Sequence, residues 1–425
     1  MANHGDEGLK RRDFLKRASG AAAAIVGTGL LASCGGSDSG STDLSAADVP
    51  AEVPVEVVPE TQDTQTDIAP AAKATVHVAT GTALTEVYAM GLKAVEAMGI
   101  TGTALAGKTV FVKPNFVALG MEMFGCGFDA NTGEVAKPEL VVAVAEQCLK
   151  AGAAKVSIGD AAQTDEWDWT TVKFMTGNQI GAATDLQAAV DQLNTTYGAG
   201  KVELLCLNHV DQWTQIPSAS THVNLKDGIY TAKAFTDADH AFSVAVIKTH
   251  VFAKMTASMK NFFGCTSLVH HGTGFSRCKL HTGYESETVH GVAMAGVSGA
   301  FIDICKWRKD QGKKDYAVID GTVCLEGSGP HKAPVNDGRT IQMKDRNKGG
   351  KYFVLACDDL VAADYTVAKI VNIAAADIKA LAMAKNIALG ETESIGLSGA
   401  ALEDLVIADW LAPTITPESF FDPIC

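Results

Sequence analysis

Phe242-Ser243-Val244-Ala245-Val246-Ile247 runs straight into Lys248-Thr249-His250. An apolar run of strand length with no polar alternation predicts a strand buried on both faces, and such strands belong to parallel sheets covered by helices. The stretches Thr75 to Ala79, Thr109 to Val112, Lys155 to Ile158, Val202 to Leu207, Tyr316 to Ile319 and Tyr352 to Ala356 read as further strands. Helical patterns lie between them, over Leu84 to Met98, Pro138 to Ala151, Asp185 to Tyr197 and Leu360 to Ala375, the second with proline at a first-turn position. The alternation predicts a layered, Rossmann-like α/β fold with a mostly parallel sheet.

The polar residues gather where these strands end. Lys113-Pro114-Asn115 follows Val110-Phe111-Val112, Gly159-Asp160 follows Val156-Ser157-Ile158, and Asp320-Gly321 follows Ala317-Val318-Ile319, as Lys248-Thr249-His250 follows the opening strand. Strand ends of one parallel sheet face one crevice. Thr266 to Glu287 is rich in Gly, Ser, Thr and His and lacks periodicity, so it is expected as an irregular, His-rich loop over those strand ends.

The segment residues 74–425 thus reads as a single α/β domain, and the residues before it read differently. Lys10-Arg11-Arg12-Asp13-Phe14-Leu15-Lys16 precedes an apolar run from Ala18 to Ala32 that is too short and too rich in glycine and alanine for a membrane span. The pattern resembles a signal of the twin-arginine export route. Leu31-Ala32-Ser33-Cys34 resembles a bacterial lipobox, which makes Cys34 a lipidation site; ordinary cleavage near Ala32 is the alternative. Residues 1–33 are therefore expected to be a lipoprotein signal peptide and residues 34–73 a disordered tether. Between residues 35 and 73 lie four prolines, eight acids, one lysine and no aromatic residue, too little apolar surface to offset ordering. The expected partners are the twin-arginine machinery and a membrane reached through the lipid anchor, on the periplasmic or extracytoplasmic side.

Lys and Arg number 35 against 49 Asp and Glu, a formal net charge of −14, and no basic block lies beyond the N-terminus, which argues against nucleic acid as partner. The ten cysteines stand singly, with no C-x-x-C and no ferredoxin run, which excludes covalent haem and an ordinary zinc ribbon. Gly327-Ser328-Gly329-Pro330 is too short for a dinucleotide fingerprint, and no Walker A sequence occurs. The acidic stretch Asp129 to Glu134 has its glycine at the fifth position where a calcium loop needs the sixth.

Several stretches together resemble the family known as domain of unknown function 362. They are Val112-Lys113-Pro114-Asn115, Ala151-Gly152-Ala153 leading into Val156 to Asp160, Ile247 to His250, Met259-Lys260-Asn261-Phe262-Phe263-Gly264-Cys265, Val318 to Gly321, Glu326 to Pro330, and Cys357-Asp358-Asp359 with Ala363-Asp364. The chain lacks the iron–sulfur module that some members carry, and Ala136-Lys137-Pro138 lacks the threonine expected before that proline. The resemblance implies a fold and a site. A more distant one links Lys248-Thr249-His250 with Lys260 to the nickel-dependent lactate racemase family.

As chemistry, Lys113, Asn115, Lys248, His250, Lys260 and Asn261 form the candidate catalytic set, with Asp160, Gly264, Asp320 and Glu326 as substrate-binding candidates. Lysines supply point charges and Gly264 admits a close backbone N–H, a combination suited to a small carboxylate or phosphate ligand. The alternative is that the lysines pair with Asp160, Asp320, Glu326 or Asp364 in a structural network. His250, His270, His271, His281 and His290 could ligate a transition metal such as zinc, nickel or iron; otherwise His250 is an acid/base or hydrogen-bonding group and the others are loop surface. Cys265 and Cys278 either pair as a disulfide, ligate metal, or stay inert. The leading expectation is an exported, lipid-anchored enzyme for a small anionic substrate; a non-catalytic ligand- or metal-binding lipoprotein and an iron–sulfur electron carrier are the rivals.

Overall fold

The computed structural model describes residues 72–117, 128–161, 168–175, 181–272, 277–332 and 336–414. The expected signal peptide, the lipobox with Cys34 and all but the end of the expected tether lie outside these residues. Twelve strands occur among them: β1 Ala74–Gly81, β2 Thr109–Pro114, β3 Lys155–Asp160, β4 Val202–Cys206, β5 Trp213–Ile216, β6 Ile229–Ala232, β7 His240–His250, β8 Lys254–Thr256, β9 Lys314–Ser328, β10 Asp337–Gln342, β11 Tyr352–Cys357 and β12 Ile395–Ser398. The main sheet runs β12-β1-β11-β9-β7-β2-β3-β4, with β10 beside β9 and β8 beside β7. From β9 through β7, β2 and β3 to β4 every neighbour is parallel; β8, β10 and β11 run against their neighbours. The mostly parallel α/β sheet expected from the apolar runs is what forms.

Helices cover the sheet with their apolar faces, and one of them has almost no polar face to spare. Pro138–Lys150 is buried along nearly its whole length, and its partner Val87–Ala97 approaches it at Gly91, where an added Cβ would stand 2.6 Å from Leu140 Cδ1. Helix Leu186–Tyr197 is capped by Asp185, and Leu360–Ile370 by Asp359, whose carboxylate accepts from Val361 N and Ala362 N. β5 and β6 pair as a separate antiparallel ribbon. Among the described residues no helix is long and apolar enough to cross a membrane.

Two features differ from the expected picture. The stretch after Thr266 is largely helical, with turns of helix at Leu268–His271 and Cys278–Glu285. And β7 and β9 do not stop where their polar residues begin. β2 ends at Pro114 opposite Val244, while β7 continues to His250, flanked by β8 on one side and β9 on the other. The β7–β9 register slips between Val246 and Lys248, where β9 passes from Asp320 to Leu325. Such irregularities bend a strand and re-aim its side chains. Lys248 lies directly beyond this one.

Candidate functional site: a buried cationic crevice

The carboxyl ends of β2, β3 and β7 bring Lys113, Asp160 and Lys248 together. Lys113 Nζ donates to Asp160 Oδ1 at 2.6 Å and to Pro114 O at 2.6 Å, both side chains being buried. The other carboxylate oxygen of Asp160 accepts from Phe116 N at 2.9 Å, so Asp160 also fixes the chain leaving β2. Lys248, 1% exposed, donates to the backbone carbonyl of Glu134 at 2.5 Å and has no carboxylate partner within ion-pair distance among the described residues.

Lys260 stands on the short helix Ser258–Asn261, which Asp364 holds in place. Asp364 accepts from Ser258 N at 2.7 Å, Ser258 Oγ at 2.6 Å and Met259 N at 3.1 Å. The next residue, Asn261, donates to Lys113 O at 2.8 Å and Ser243 Oγ at 3.1 Å. A carbonyl can only accept, so these bonds fix the Asn261 amide orientation and turn its Oδ1 to the Asn115 amide at 3.1 Å. Asn115 Oδ1 is then left buried without a donor among the described residues. Lys260 Nζ itself makes no hydrogen bond or ion pair among the described residues and lies 5.9 Å from the centre of the Phe263 ring.

Arg277 completes the charge. Its backbone is left-handed, with φ 48°, and its guanidinium is buried, donating among the described residues to the carbonyls of Thr266 and Ala161, each at 3.0 Å. The guanidinium carbon stands 5.9 Å from the same Phe263 ring. His281 packs edge-on to Phe263 at 5.6 Å and to Phe252 at 5.2 Å, and His250 lies 5.7 Å from Phe252. Two half-buried phenylalanines thus form an apolar floor ringed by Lys260, Arg277, His281 and His250. Glu134 borders it, its Oε1 facing His331 Nδ1 at 3.3 Å and Lys332 N at 3.0 Å while Oε2 has no hydrogen-bond partner among the described residues.

Crowding cations into a water-poor crevice weakens their hold on protons. Lys248 is lowered to about 7, first by burial and then by the charges of Lys260 and Lys113, with Glu134 and Asp160 opposing. Lys260 also falls to about 7, through burial and then Arg277 and Lys113. It is only partly covered, so the burial cause acts more firmly on Lys248 than on Lys260. Burial lowers Arg277 to about 10 against the pull of Asp160, and His281 to about 3. His250 is driven well below its ordinary range by burial and then by Lys260, which keeps the imidazole neutral. Its Nδ1 accepts from Phe252 N at 3.1 Å, so the proton of the neutral ring is assigned to Nε2. His250 is accordingly a hydrogen-bond donor to the crevice and a poor base. Burial opposes ionisation of Glu134, but the His331 and Lys332 hydrogen bonds and the His331 and Lys248 charges outweigh it and hold the carboxyl low.

Of the expected site residues, Lys113, Asn115, Asp160, Lys248, His250, Lys260, Asn261 and Gly264 converge. Asp320 and Glu326 do not join them. Asp320 lies inside β9, taking Thr322 N and Oγ1 on one oxygen and Lys137 N and Nζ on the other, where it anchors the positive end of helix Pro138–Lys150. Glu326 is fully buried, clamped by Arg339 and Arg346 and by Leu411 N. Arg277, His331 and Phe252 lie beside these residues and were passed over in the sequence, as was the part played by Glu134 and Phe263, which were read only within a calcium-like stretch and the family-like motif; Arg277 sits next to Cys278 in a stretch whose histidines and cysteines drew the reading.

The loop histidines scatter. His270 stacks on Tyr230 at 4.0 Å and contacts Ser267 Oγ, His271 Nε2 accepts from Tyr230 N at 2.8 Å, and His290 Nε2 lies 2.7 Å from Asp303 Oδ1. Among the described residues no group of three or more His, Cys, Asp or Glu could hold a metal ion. The surroundings of His250 and His281 are cationic as well, which repels a dication. As placed among the described residues, these histidines do not assemble a ligand set for zinc, nickel or iron. Cys265 is a free, buried thiol pushed up to about 12 by burial, and Cys278 is disulfide-bonded, so the two are not paired with each other.

The arrangement defines a class: an α/β protein with cationic side chains gathered at the carboxyl ends of its parallel strands. The chain belongs to the family described as domain of unknown function DUF362, whose model matches residues 110–369. Those bounds take in every residue that converges on the crevice. No curated protein sequence matches the chain. Among solved structures it is similar to a protein from Thermotoga maritima, at 12% identity and TM-score 0.31 over 61% of this chain and 55% of that one. It is also similar to the lactate racemase apoprotein from Thermoanaerobacterium thermosaccharolyticum, at 13% identity and TM-score 0.30 over 64% and 54%. The chain spans little more than half the length of either.

Proposed function

We propose that this protein is an exported, lipid-anchored enzyme that binds a small carboxylate- or phosphate-bearing substrate over Phe252 and Phe263 and transfers protons to or from it. One observation carries the reading. Lys248, Lys260 and Arg277 share one crevice, and none of them has a carboxylate within ion-pair distance among the described residues. Buried charge without a counterion is costly, and a bound anion is the counterion that relieves it. Lys248, poised near neutrality, is the proton carrier, and His250 offers its Nε2–H to the substrate. Export and anchoring rest on Arg11-Arg12 and Cys34.

The test is calorimetric titration of the full chain with phosphate, acetate and pyruvate, beside Lys248→Gln and Arg277→Gln. Each variant is expected to lose at least tenfold in affinity while still unfolding in one cooperative transition. Unchanged affinity in both would remove the proposal, and binding with no turnover of any bound anion would return the protein to the non-catalytic class. Fractionation of cells carrying Arg11→Lys/Arg12→Lys or Cys34→Ser tests the address: the first should stay in the cytoplasm and the second should leave the membrane fraction.

A further inference from the structure

We propose that Lys260 is a nucleophile and that the substrate class is a 2-oxo carboxylate, captured on Lys260 as an imine while Arg277 holds its carboxylate. The inference rests on the anion-binding reading above and names its substrate. Lys260 Nζ and the Arg277 guanidinium both lie 5.9 Å from the centre of the Phe263 ring. An amine and a carboxylate-binding fork therefore stand beside one flat apolar surface. Two of the Arg277 nitrogens are committed to backbone carbonyls, and Nη1 has no hydrogen-bond partner among the described residues, which leaves it for a ligand oxygen. Lys260 Nζ has no partner there at all, unlike Lys113 and Lys137, whose ammonium groups are paired with Asp160 and Asp320. An ammonium kept for charge alone gains by pairing; one kept as an amine must stay unpaired and desolvated beside other cations, the setting in which lysines form Schiff bases. The depression of Lys260 towards neutrality agrees with that geometry.

The step balances without an added oxidant or reductant. The Nζ lone pair forms a C–N bond to the carbonyl carbon while the carbonyl π pair takes a proton, giving a carbinolamine. The nitrogen then releases its protons to solvent or to Lys248 as the carbinol oxygen leaves as water, and a carbon–nitrogen double bond replaces the carbon–oxygen one. Lys248, buried at the end of β7 with its Nζ on the Glu134 carbonyl, is assigned the proton that goes to the departing hydroxyl.

The experiment is borohydride reduction of the full chain in the presence of pyruvate or 2-oxoglutarate, followed by intact-mass measurement and peptide mapping, with lactate as the probe that lacks the carbonyl. The expected result is one reduced adduct per chain, on Lys260, absent with lactate and absent in Lys260→Arg, which keeps the charge. Pyruvate that binds by calorimetry and leaves no adduct would overturn the imine and leave the anion site standing. Neither binding nor adduct would overturn both, and an adduct on Lys248 would overturn the assignment to Lys260.

Discussion

Gly264 stands so close to Lys113 that an added Cβ would lie 2.8 Å from its Nζ and 3.2 Å from Asp160 Oδ1. The glycine is thus a packing requirement of the buried ion pair. Its backbone torsion is ordinary, and what it supplies is room. The motif that carries Lys260 and Asn261 on one side therefore closes over the Lys113–Asp160 pair with its glycine on the other.

Gly264→Ala is accordingly expected to move the Lys113 ammonium off partners it holds at 2.6 Å. The cost of such overpacking is about 1–3 kcal/mol. A thermal or denaturant melt reads the destabilisation, and anion titration should show weaker binding in a protein that still folds. A variant as stable as the parent would mean that the lysine end swings aside freely.

Asp364 supports the crevice from behind, since Ser258 and Met259 begin the turn that ends in Lys260 and Asn261. Asp364→Ala removes three hydrogen bonds at once and leaves buried donors unmet, at about 1–3 kcal/mol each before relaxation. Anion affinity and adduct formation on Lys260 should both fall, with Asp364→Asn recovering part of each. Loss of stability with unchanged affinity would limit Asp364 to a structural role.

Of the seven strands expected from sequence, β7, β9 and β11 were legible because burial on both faces writes itself as uninterrupted apolar text, whereas β1 and the edge strand β4 are only partly buried. β5 and β6 were not legible, because Trp213–Ile216 and Ile229–Ala232 carry threonine and glutamine and are joined by residues 217–228, a connection too long for Asp227-Gly228 at its end to read as a two-residue hairpin turn. Asp320 misled for a related reason. A charge after Ala317-Val318-Ile319 reads as a strand end, yet β9 continues because β10 pairs with it and Lys137 and Thr322 meet the carboxylate. Lys248, His250 and Lys260 were found through their text, whereas Arg277 depends on a left-handed backbone and on partners far away in the chain, which no local pattern encodes.

Lys248 should make the ligand-free fold more stable in mild base. Its proton affinity drops from an ordinary 10.5 to about 7 on folding, so between these values the unfolded chain binds a proton that the folded chain does not. Stability then rises with pH through that window, by up to about 1.4 kcal/mol per pH unit for one such group, and this lysine contributes no further change below it. Denaturant unfolding between pH 7 and 9.5 checks the slope. Lys248→Met should flatten it and melt higher than the parent at neutral pH. A parent curve that is flat or falling across the window would show that the amine is not desolvated.

Binding of phosphate, which has no carbonyl for Lys260 to attack, must carry the opposite dependence, because an anion seated beside Lys248 and Lys260 favours their charged forms and raises both affinities for protons. Below about 7 both lysines are protonated before the ligand arrives, and affinity is constant. As pH rises above 7, each neutral lysine must take up a proton on binding. Affinity then weakens by up to about tenfold per pH unit for each, until the values in the complex are passed. Titrations at pH 6 and 8.5, in buffers of differing ionisation heat, measure both the loss of affinity and the proton uptake. Lys248→Arg keeps a permanent charge and should remove much of the pH dependence while retaining binding at pH 6. Affinity that is level from pH 6 to 8.5, with no protons taken up, would mean that the ligand does not meet these two amines.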